Sequence, residues 1–319
     1  MGDHLLWFVA GIAALALGAD SAVRGLAGLA RNRGVAAFGV GLVLAAFGGS
    51  VPDVALNVGA VAGGHPALAL GNMIGASIVN LGLLLGLAAV VAGPLDVRSP
   101  VLKPLVIAQV VVALALLAMS HNGRIGFLDG AVLVLGFVAL SVYVLGFAGG
   151  RAEPEVRAQF EAEGEQRSDA ALNLLRIGIG AAILVWAART TVEHAVGLAA
   201  TAGVGDLFAG LTFVAISASL PQIALGLIAA VQRRGDVLMA SVIGSNLLNL
   251  SLVLGVSAIW QPYPVAQSLV QLELPVLLAF AAMLYPLLRG DMRITRGEGF
   301  VLLLAFAALH TYQWWSVLR

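Results

Sequence analysis

An internal repeat with a constant separation of 169 residues is the feature that most constrains the fold of this chain. The first copy reads VLAAFGGSVPD at 43–53 and MIGASIVN at 73–80, and the second reads TFVAISASLPQ at 212–222 and VIGSNLLN at 242–249. Two separated motifs share one offset, which chance similarity between apolar segments does not explain. The chain is therefore predicted to be a duplication of one structural unit. Polar residues at matched positions argue against a duplication kept only for packing.

Composition places both copies in a lipid bilayer. Sixty per cent of the 319 residues are hydrophobic and 11% are charged, whereas soluble domains carry about 25% charged residues. A spanning helix needs roughly 20 apolar residues. We predict an all-α integral membrane protein with ten transmembrane helices, at 5–29, 36–61, 67–92, 101–119, 125–147, 171–197, 207–231, 236–258, 266–288 and 298–317. The first segment has no basic leader or cleavage site and is expected to be retained as a helix.

The spans and the repeat together predict two inverted halves. Residues 1–147 and 171–319 form the five-helix halves, and a charged linker at 148–170 separates them. Five spans per half is an odd number, so the second copy enters the membrane upside down, as in secondary transporters. Loops after odd-numbered spans hold 13 of the 17 basic residues, and the opposite loops hold two. The positive-inside rule then predicts a cytoplasmic linker and both termini outside.

Several classes of function are disfavoured by what the chain contains. Without cysteine there are neither disulfides nor thiolate metal sites, and a net charge of zero gives no reason to expect a nucleic-acid partner. The spans show no catalytic metal motif and no serine with a lysine or histidine base, so an enzyme is not expected, nor is a cofactor. The expected partners are the lipid bilayer and small inorganic cations, with no obligate protein partner. An excess of Arg over Lys is typical of a high-GC prokaryotic gene, which favours the plasma (inner) membrane.

The first copy of the motif has the chemistry of a cation site. Pro52 lies inside the second span, where a proline removes a backbone N–H and breaks the helix. Carbonyl groups freed in a membrane core need a partner, and the oxygens of Ser50 and Asp53 beside them make an environment that suits a cation. Asp53 is the one acidic residue in the four motif helices away from their ends, and an ionisable group at that depth is a functional candidate.

The second copy repeats this arrangement without the charge. Pro221 is predicted to break the seventh span, and Ser217, Ser219 and Gln222 supply the oxygens there. Neutral oxygens from the following helices could complete the site or could serve only as contacts between helices. These are Asn80, Asn249, Ser77, Asn246 and Ser245.

Three other features are expected to be secondary. Asp20 and Arg24 are four residues apart on the first span, and Arg189 and Glu193 occupy the matching positions on the sixth with the signs exchanged. Such i, i+4 pairs are interpreted as structural ion pairs rather than gates. Glu273 is either an auxiliary proton or ion site or, as its place near a helix end favours, a residue near water.

The motifs resemble those of the cation/calcium exchanger superfamily, which includes the sodium/calcium exchangers. The family pattern is Gly-Thr/Ser-Ser-x-Pro-Glu followed by Gly-Asn-x-x-Gly-Ser-Asn-x-x-Asn/Asp, once in each half, and the resemblance covers the whole chain. This chain departs from it at Gly49 and Ala218, at Ala76-Ser77 in the first half, and at Ala240-Ser241 in the second. It implies a central set of four cation ligands and flanking sodium sites. Carried over to this sequence, the resemblance implies that the central set would be Asp53, Asn80, Gln222 and Asn249. The flanking sites are implied at Ser50, Ser219 and the backbone carbonyls of Ala46 and Ala215, with Ser77 and Ser245 nearby.

Departures from the family pattern bear on the transported ion. Asp53 and Gln222 stand where the family has glutamates, so one carboxylate remains. A divalent ion beside one carboxylate leaves a net charge of +1, and a lone charge at the membrane centre costs about 2.5–3.5 kcal/mol. A proton could also compete for the buried carboxyl group.

The sequence predicts a secondary active cation antiporter that exchanges Ca²⁺ or a related cation for Na⁺ or H⁺ by alternating access. Two alternatives stay open. One is a monovalent Na⁺, K⁺ or H⁺ exchanger on the same fold, which the single carboxylate would suit. The other is a transport-inactive membrane scaffold or sensor. A channel is less well suited to two inverted halves with broken helices.

Overall fold

The computed structural model describes residues 1–97, 102–147, 158, 161, 169–289 and 293–317. The predicted linker at 148–170 lies almost entirely outside these residues. In this part of the chain nine helices are long and apolar enough to cross a membrane, and a tenth apolar helix, Leu269–Leu284, is shorter. Helices predominate because a bilayer offers the backbone no hydrogen-bond partners, and a helix satisfies its own.

The first half contains five helices, α1–α5. A 3₁₀ or π-helical turn interrupts two of them and follows a third. They are α1, Gly2–Asn32; α2, Ala37–Phe47 with a 3₁₀ turn at Gly48–Ser50 and a second segment Val51–Ala62; α3, Pro66–Ile78 with a π-helical turn at Val79–Leu84 and a second segment Leu85–Ala92; α4, Leu102–Met119, followed by a 3₁₀ turn at Ser120–Asn122; and α5, Phe127–Phe147.

The second half contains the other five, α6–α10. They are α6, Ala170–Ala202; α7, Asp206–Ala209 with a π-helical turn at Gly210–Val214 and a second segment Ala215–Val231; α8, Gly235–Leu247 with a π-helical turn at Leu248–Val253 and a second segment Leu254–Trp260; α9, a π-helical turn at Leu269–Glu273 continuing as Leu274–Arg289; and α10, Arg296–Val317. The predicted spans therefore agree with the helices to within a few residues.

In the described part of the chain, four two-residue strands join the halves at both ends of the bundle. They are β1 Leu95–Asp96, β2 Arg124–Ile125, β3 Tyr263–Pro264 and β4 Arg293–Ile294. Strand β1 pairs antiparallel with β4, and β2 pairs antiparallel with β3. Helix α4 separates β1 from β2, so the two ribbons lie at opposite ends of the bundle. The repeat offset of 169 residues maps β1 onto β3 and β2 onto β4, so the inverted symmetry extends to these strands.

The repeat-motif helices form the centre of the bundle. Of the most apolar window of each helix, 78% is buried in α3 and 83% in α8, against 17% in α5 and α6. Helices α2 and α7 are intermediate, at 50% each. Polar residues of α3 and α8 are thus shielded from lipid, whereas α5 and α6 have mostly exposed faces.

Helices α1 and α6 pack against each other backbone to backbone along most of their length. A Cβ atom at Gly11 would lie 2.3 Å from the hydroxyl oxygen of Thr191, and one at Gly25 would lie 2.6 Å from the carbonyl oxygen of Asn173. From the other side, a Cβ atom at Gly180 would lie 2.6 Å from the backbone nitrogen of Ala22. Small residues permit this approach, as is usual between membrane helices.

Candidate cation site in the four motif helices

The two prolines of the repeat have different effects on their helices. Pro52 is the second residue of the segment Val51–Ala62, and the chain makes a 3₁₀ turn immediately before it. Pro221 lies inside the continuous helix Ala215–Val231. The prediction of a break at Pro221 is therefore wrong. Helix α7 instead changes its winding upstream, at the π-helical turn Gly210–Val214, and a proline within a membrane helix is tolerated when neighbouring groups satisfy the freed carbonyl.

Asn80 and Asn249 occupy equivalent π-helical turns. Asn80 is the second residue of Val79–Leu84, and Asn249 is the second residue of Leu248–Val253. A π-helical turn adds a residue to the helical repeat, and such turns are frequent at functional sites. Both asparagines are buried, at 0% and 1% exposure. The symmetry of the two halves therefore includes a local distortion at the predicted ligand positions.

Close crossings of the motif helices involve Gly75 and Gly244, which are repeat partners. A Cβ atom at Gly75 would lie 2.7 Å from the carbonyl oxygen of Leu211 and 2.8 Å from the Cβ of Ala215. A Cβ atom at Gly244 would lie 2.6 Å from both the carbonyl oxygen and the Cβ of Ala46. The two alanines predicted to contribute backbone carbonyls are thus the contact points of α3 with α7 and of α8 with α2.

Asp53 is an isolated buried carboxylate. The residue is 1% exposed, and neither carboxylate oxygen has a hydrogen-bond partner in the described part of the chain. The side chain of Asn72 lies beside the carboxylate, but outside the distance and angle of a hydrogen bond. No ion pair among the described residues includes Asp53. A charge in this position needs a cation or a proton to balance it.

Asn57 and Asn72 form an amide pair beside Asp53, and sequence analysis missed this pair. The Asn72 Nδ2 donates to Asn57 Oδ1 over 2.9 Å, and both residues are fully buried. Asn57 follows Asp53 by four residues, so the two side chains share a face of α2. That spacing could have identified Asn57, but its repeat partner is Gly226 and the comparison of the halves passed over it.

A hydrogen-bond network crosses from the first half to the second. The Nδ2 of Asn80 donates to Asn246 Oδ1 over 2.9 Å and to the Ser245 hydroxyl over 3.4 Å. The Ser245 hydroxyl in turn donates to Gln222 Oε1 over 3.2 Å. Gln222 Nε2 donates to the carbonyl of Ser241 over 3.3 Å and to its hydroxyl over 3.4 Å. The amide nitrogens of Asn80 and Gln222 are thereby engaged, which fixes the directions of both side chains.

Several of the buried oxygen atoms that have no hydrogen-bond partner belong to the predicted site residues. Six buried side-chain oxygens at those positions have no hydrogen-bond partner among the described residues: Ser50 Oγ, both carboxylate oxygens of Asp53, Asn80 Oδ1, Ser219 Oγ and Asn249 Oδ1. The exceptions are Ser245 and Gln222, which bond to each other, and Ser77, whose hydroxyl donates to the carbonyl of Met73. Buried polar atoms rarely stay without partners, and oxygen-rich sites of this kind suit Na⁺ and Ca²⁺.

The two charged pairs of α1 and α6 differ from each other. Asp20 and Arg24 form the predicted ion pair, at 2.8 Å, with more than half of each side chain exposed. Among the described residues Arg189 and Glu193 form no ion pair, so that part of the prediction is wrong. They line a cavity of about 590 Å³ between α2 and α6, together with His65. Both residues are exposed, so neither charge is buried without a partner.

Comparison with known proteins agrees with this geometry. The family model of the sodium/calcium exchanger protein matches residues 4–146 and 172–315. The chain belongs to the sodium/calcium exchanger family. Two relatives of this family member cover nearly its whole length. One is a putative antiporter, CaxA of Alkalimonas amylolytica, 31% identical over 94% of this chain and 95% of the relative. The other is the sodium/calcium exchanger MaX1 of Methanosarcina acetivorans, 26% identical over 96% and 97%.

A solved structure of the sodium-calcium exchanger NCX_Mj soaked with Na⁺ and Sr²⁺ has the same fold as this family member. The TM-score is 0.67 at 25% sequence identity, and the match covers 97% of this chain and 98% of that one. The ten-helix architecture with two inverted five-helix repeats is thus the exchanger fold.

Proposed function

We propose that this family member is a secondary active cation antiporter that exchanges Ca²⁺, or a related cation, for Na⁺ or H⁺ by alternating access. Membership of the exchanger family supports antiport as the class of reaction. The observation that carries the proposal is the set of six buried oxygens without partners, contributed by α2, α3, α7 and α8. Those atoms are the ligands that a bound cation would satisfy.

We assign the central cation position to Asp53, Asn80, Gln222 and Asn249. The carboxylate supplies the charge, and the three amide side chains supply neutral oxygens. Ser50 and Ser219, with the carbonyls of Ala46 and Ala215, would serve flanking positions, and Ser77 and Ser245 would support them from α3 and α8. Gly49 lies directly beside the site, since a Cβ atom there would lie 3.4 Å from Gln222 Cγ.

The single carboxylate of the site favours a bound cation that carries one positive charge. One carboxylate balances one Na⁺, one K⁺ or one proton, whereas Ca²⁺ leaves a net charge of +1. A monovalent exchanger is therefore the second candidate function, and the observation that favours it is the neutral Gln222 held by Ser245. We place the protein in the prokaryotic plasma membrane with both termini outside, following the distribution of basic residues.

The test is uptake of radioactive Ca²⁺ into proteoliposomes under an imposed outward Na⁺, K⁺ or H⁺ gradient. We expect uptake that depends on one of these gradients and is abolished in Asp53→Asn. Asp169→Asn, the same change at an exposed residue at the start of α6, is the matched control and should retain uptake. Gradient-driven uptake of Na⁺ or K⁺ with no Ca²⁺ uptake would select the monovalent exchanger. No flux of any cation in the wild type would favour the scaffold.

A further inference from the structure

A second buried carboxyl group lies outside the four motif helices, on α9. Glu273 is 6% exposed, so the expectation that it lies near water is wrong. It closes the π-helical turn Leu269–Glu273 and accepts a hydrogen bond of 3.3 Å at Oε1 from Nε2 of Gln313 on α10. Gln313 is 3% exposed. Helix α4, the first-half counterpart of α9, contains no acidic residue, so this pair is particular to the second half.

The oxygen atoms of Glu273 and Gln313 outnumber the hydrogen-bond donors that reach them. Glu273 Oε2 and Gln313 Oε1 are both buried and have no hydrogen-bond partner among the described residues. The one N–H that bridges the pair is already used at Glu273 Oε1. Two unsatisfied acceptors on one buried acid–amide pair are costly. A single proton on the carboxyl group turns one acceptor into a donor and supplies the missing hydrogen bond.

Surrounding charges do not balance an ionised Glu273. None of the ion pairs in the described chain includes it. Helix α3 has no ionisable side chain, and α4 has only Lys103, at its far end. At the end of the bundle where Glu273 lies, His121 of the turn after α4 and Arg124 of β2 are both exposed, and Arg293 of β4 lies at the opposite end. On α10, His310 engages the carbonyl of Phe306 through Nδ1, which leaves an Nε2 without a partner.

We propose that Glu273 and Gln313 form a proton-binding site between α9 and α10, in which the protonated carboxyl group of Glu273 is the bound state. The site lies towards the end of the bundle where β2 pairs with β3, because Glu273 follows β3 by nine residues. Glu273 then adds no negative charge to the second half. The proposal does not rest on the antiport reaction, because neither residue belongs to the central site.

The test is infrared spectroscopy of the full-length protein in lipid vesicles above neutral pH, where exposed carboxyl groups are ionised. A protonated carboxyl group gives a C=O stretching band that an ionised group lacks. We expect this band in the wild type and in Asp53→Asn, and its loss in Glu273→Gln. Glu298→Gln changes an exposed glutamate at the start of α10 and should keep the band. Equal bands in Glu273→Gln and Glu298→Gln would overturn the proposal.

Gln313→Leu provides a second test of the proposal if Glu273→Gln does not fold. Removing the amide leaves Glu273 in place but takes away its partner, so the band should shift in frequency. An unchanged frequency would show that Gln313 does not bind the protonated group. Because Asp53→Asn abolishes the proposed antiport yet should keep the band, failure of the antiport proposal and failure of this one give different results.

Discussion

The hydroxyl of Ser245 donates a hydrogen bond of 3.2 Å to the amide oxygen of Gln222. The bond holds a neutral oxygen at the position where the family motif has a carboxylate. It also ties Gln222 of α7 to α8, and through Ser245 to Asn80 of the first half. The second ligand position of the site is therefore built and oriented, but uncharged.

Gln222→Glu should tighten Ca²⁺ binding. The Ser245 hydroxyl can continue to donate to the new carboxylate, and the Ser241 hydroxyl can donate in place of accepting. Two carboxylates balance a divalent charge, so we expect an affinity gain of about tenfold or more, which corresponds to about 1.4 kcal/mol. Equilibrium binding of Ca²⁺ to purified protein measures it. Gln232→Glu, at an exposed position, should leave the affinity unchanged, and equal affinities for both variants would contradict the charge count.

Asn57 and Asn72 should behave as a coupled pair in thermal unfolding. Asn72→Leu leaves Asn57 Oδ1 buried without its donor, and Asn57→Leu leaves the Asn72 amide without its acceptor; each should cost about 1–3 kcal/mol. The double variant removes both polar groups, so its cost should fall short of the sum of the single costs. Additive costs would show that the 2.9 Å hydrogen bond contributes nothing. Asn72→Leu should also weaken cation binding at Asp53.

Gly75→Ala and Gly244→Ala should each destabilise the bundle. Their Cβ atoms would meet backbone carbonyl oxygens at 2.7 and 2.6 Å, and overpacking of this kind costs about 1–3 kcal/mol. Gly178→Ala on α6 is the matched control, because a Cβ atom there meets nothing within 4 Å. Alanine in a helix interior is about 0.5–1 kcal/mol more favourable than glycine, so the control should melt at a slightly higher temperature. Similar melting of all three variants would argue against the close crossings.

Tyr263 should make the fold sensitive to alkali. Burial raises the pKa of its hydroxyl to about 12, against about 10 in an unfolded chain. Between these values the unfolded state releases the proton and the folded state keeps it, so stability falls as the pH rises through this window. The loss should be about 2–3 kcal/mol. Tyr263→Phe should not show this loss of stability. Tyr312→Phe, which changes a half-exposed tyrosine, should show the same loss as the wild type. Thermal unfolding across this pH range measures it.

The helices could be predicted because their signals are long, and the candidate site residues could be named because their motifs are repeated; the assignment of those residues to a cation stays a prediction. Ten apolar segments of sufficient length leave few other folds in a bilayer, and the constant offset aligned Asp53 with Gln222 and Asn80 with Asn249. Asn57 was missed because only one half has a polar residue there. Comparison of the two halves identifies positions that are polar in both copies and misses those that are polar in only one.

Local winding and pairing depended on neighbours that the sequence does not show. Nothing in the residues around Asn80 distinguishes a π-helical turn from a regular one, since both satisfy the backbone. Pro221 could break its helix or be accommodated in it, depending on what packs against the freed carbonyl. Arg189 and Glu193 have the spacing of an ion pair, but both are exposed, and spacing alone does not decide whether two exposed side chains meet.

The two strand ribbons have a consequence for the order in which the protein can be made. Strands β1 and β2 are synthesised before residue 130, and their partners β4 and β3 appear only after residue 260. Contacts between residues so far apart in sequence form late. Until then β1 and β2 have no partner strands, and α7, which packs against Gly75, has not been synthesised. The first half expressed by itself therefore lacks both strand pairings and the helix that packs against Gly75.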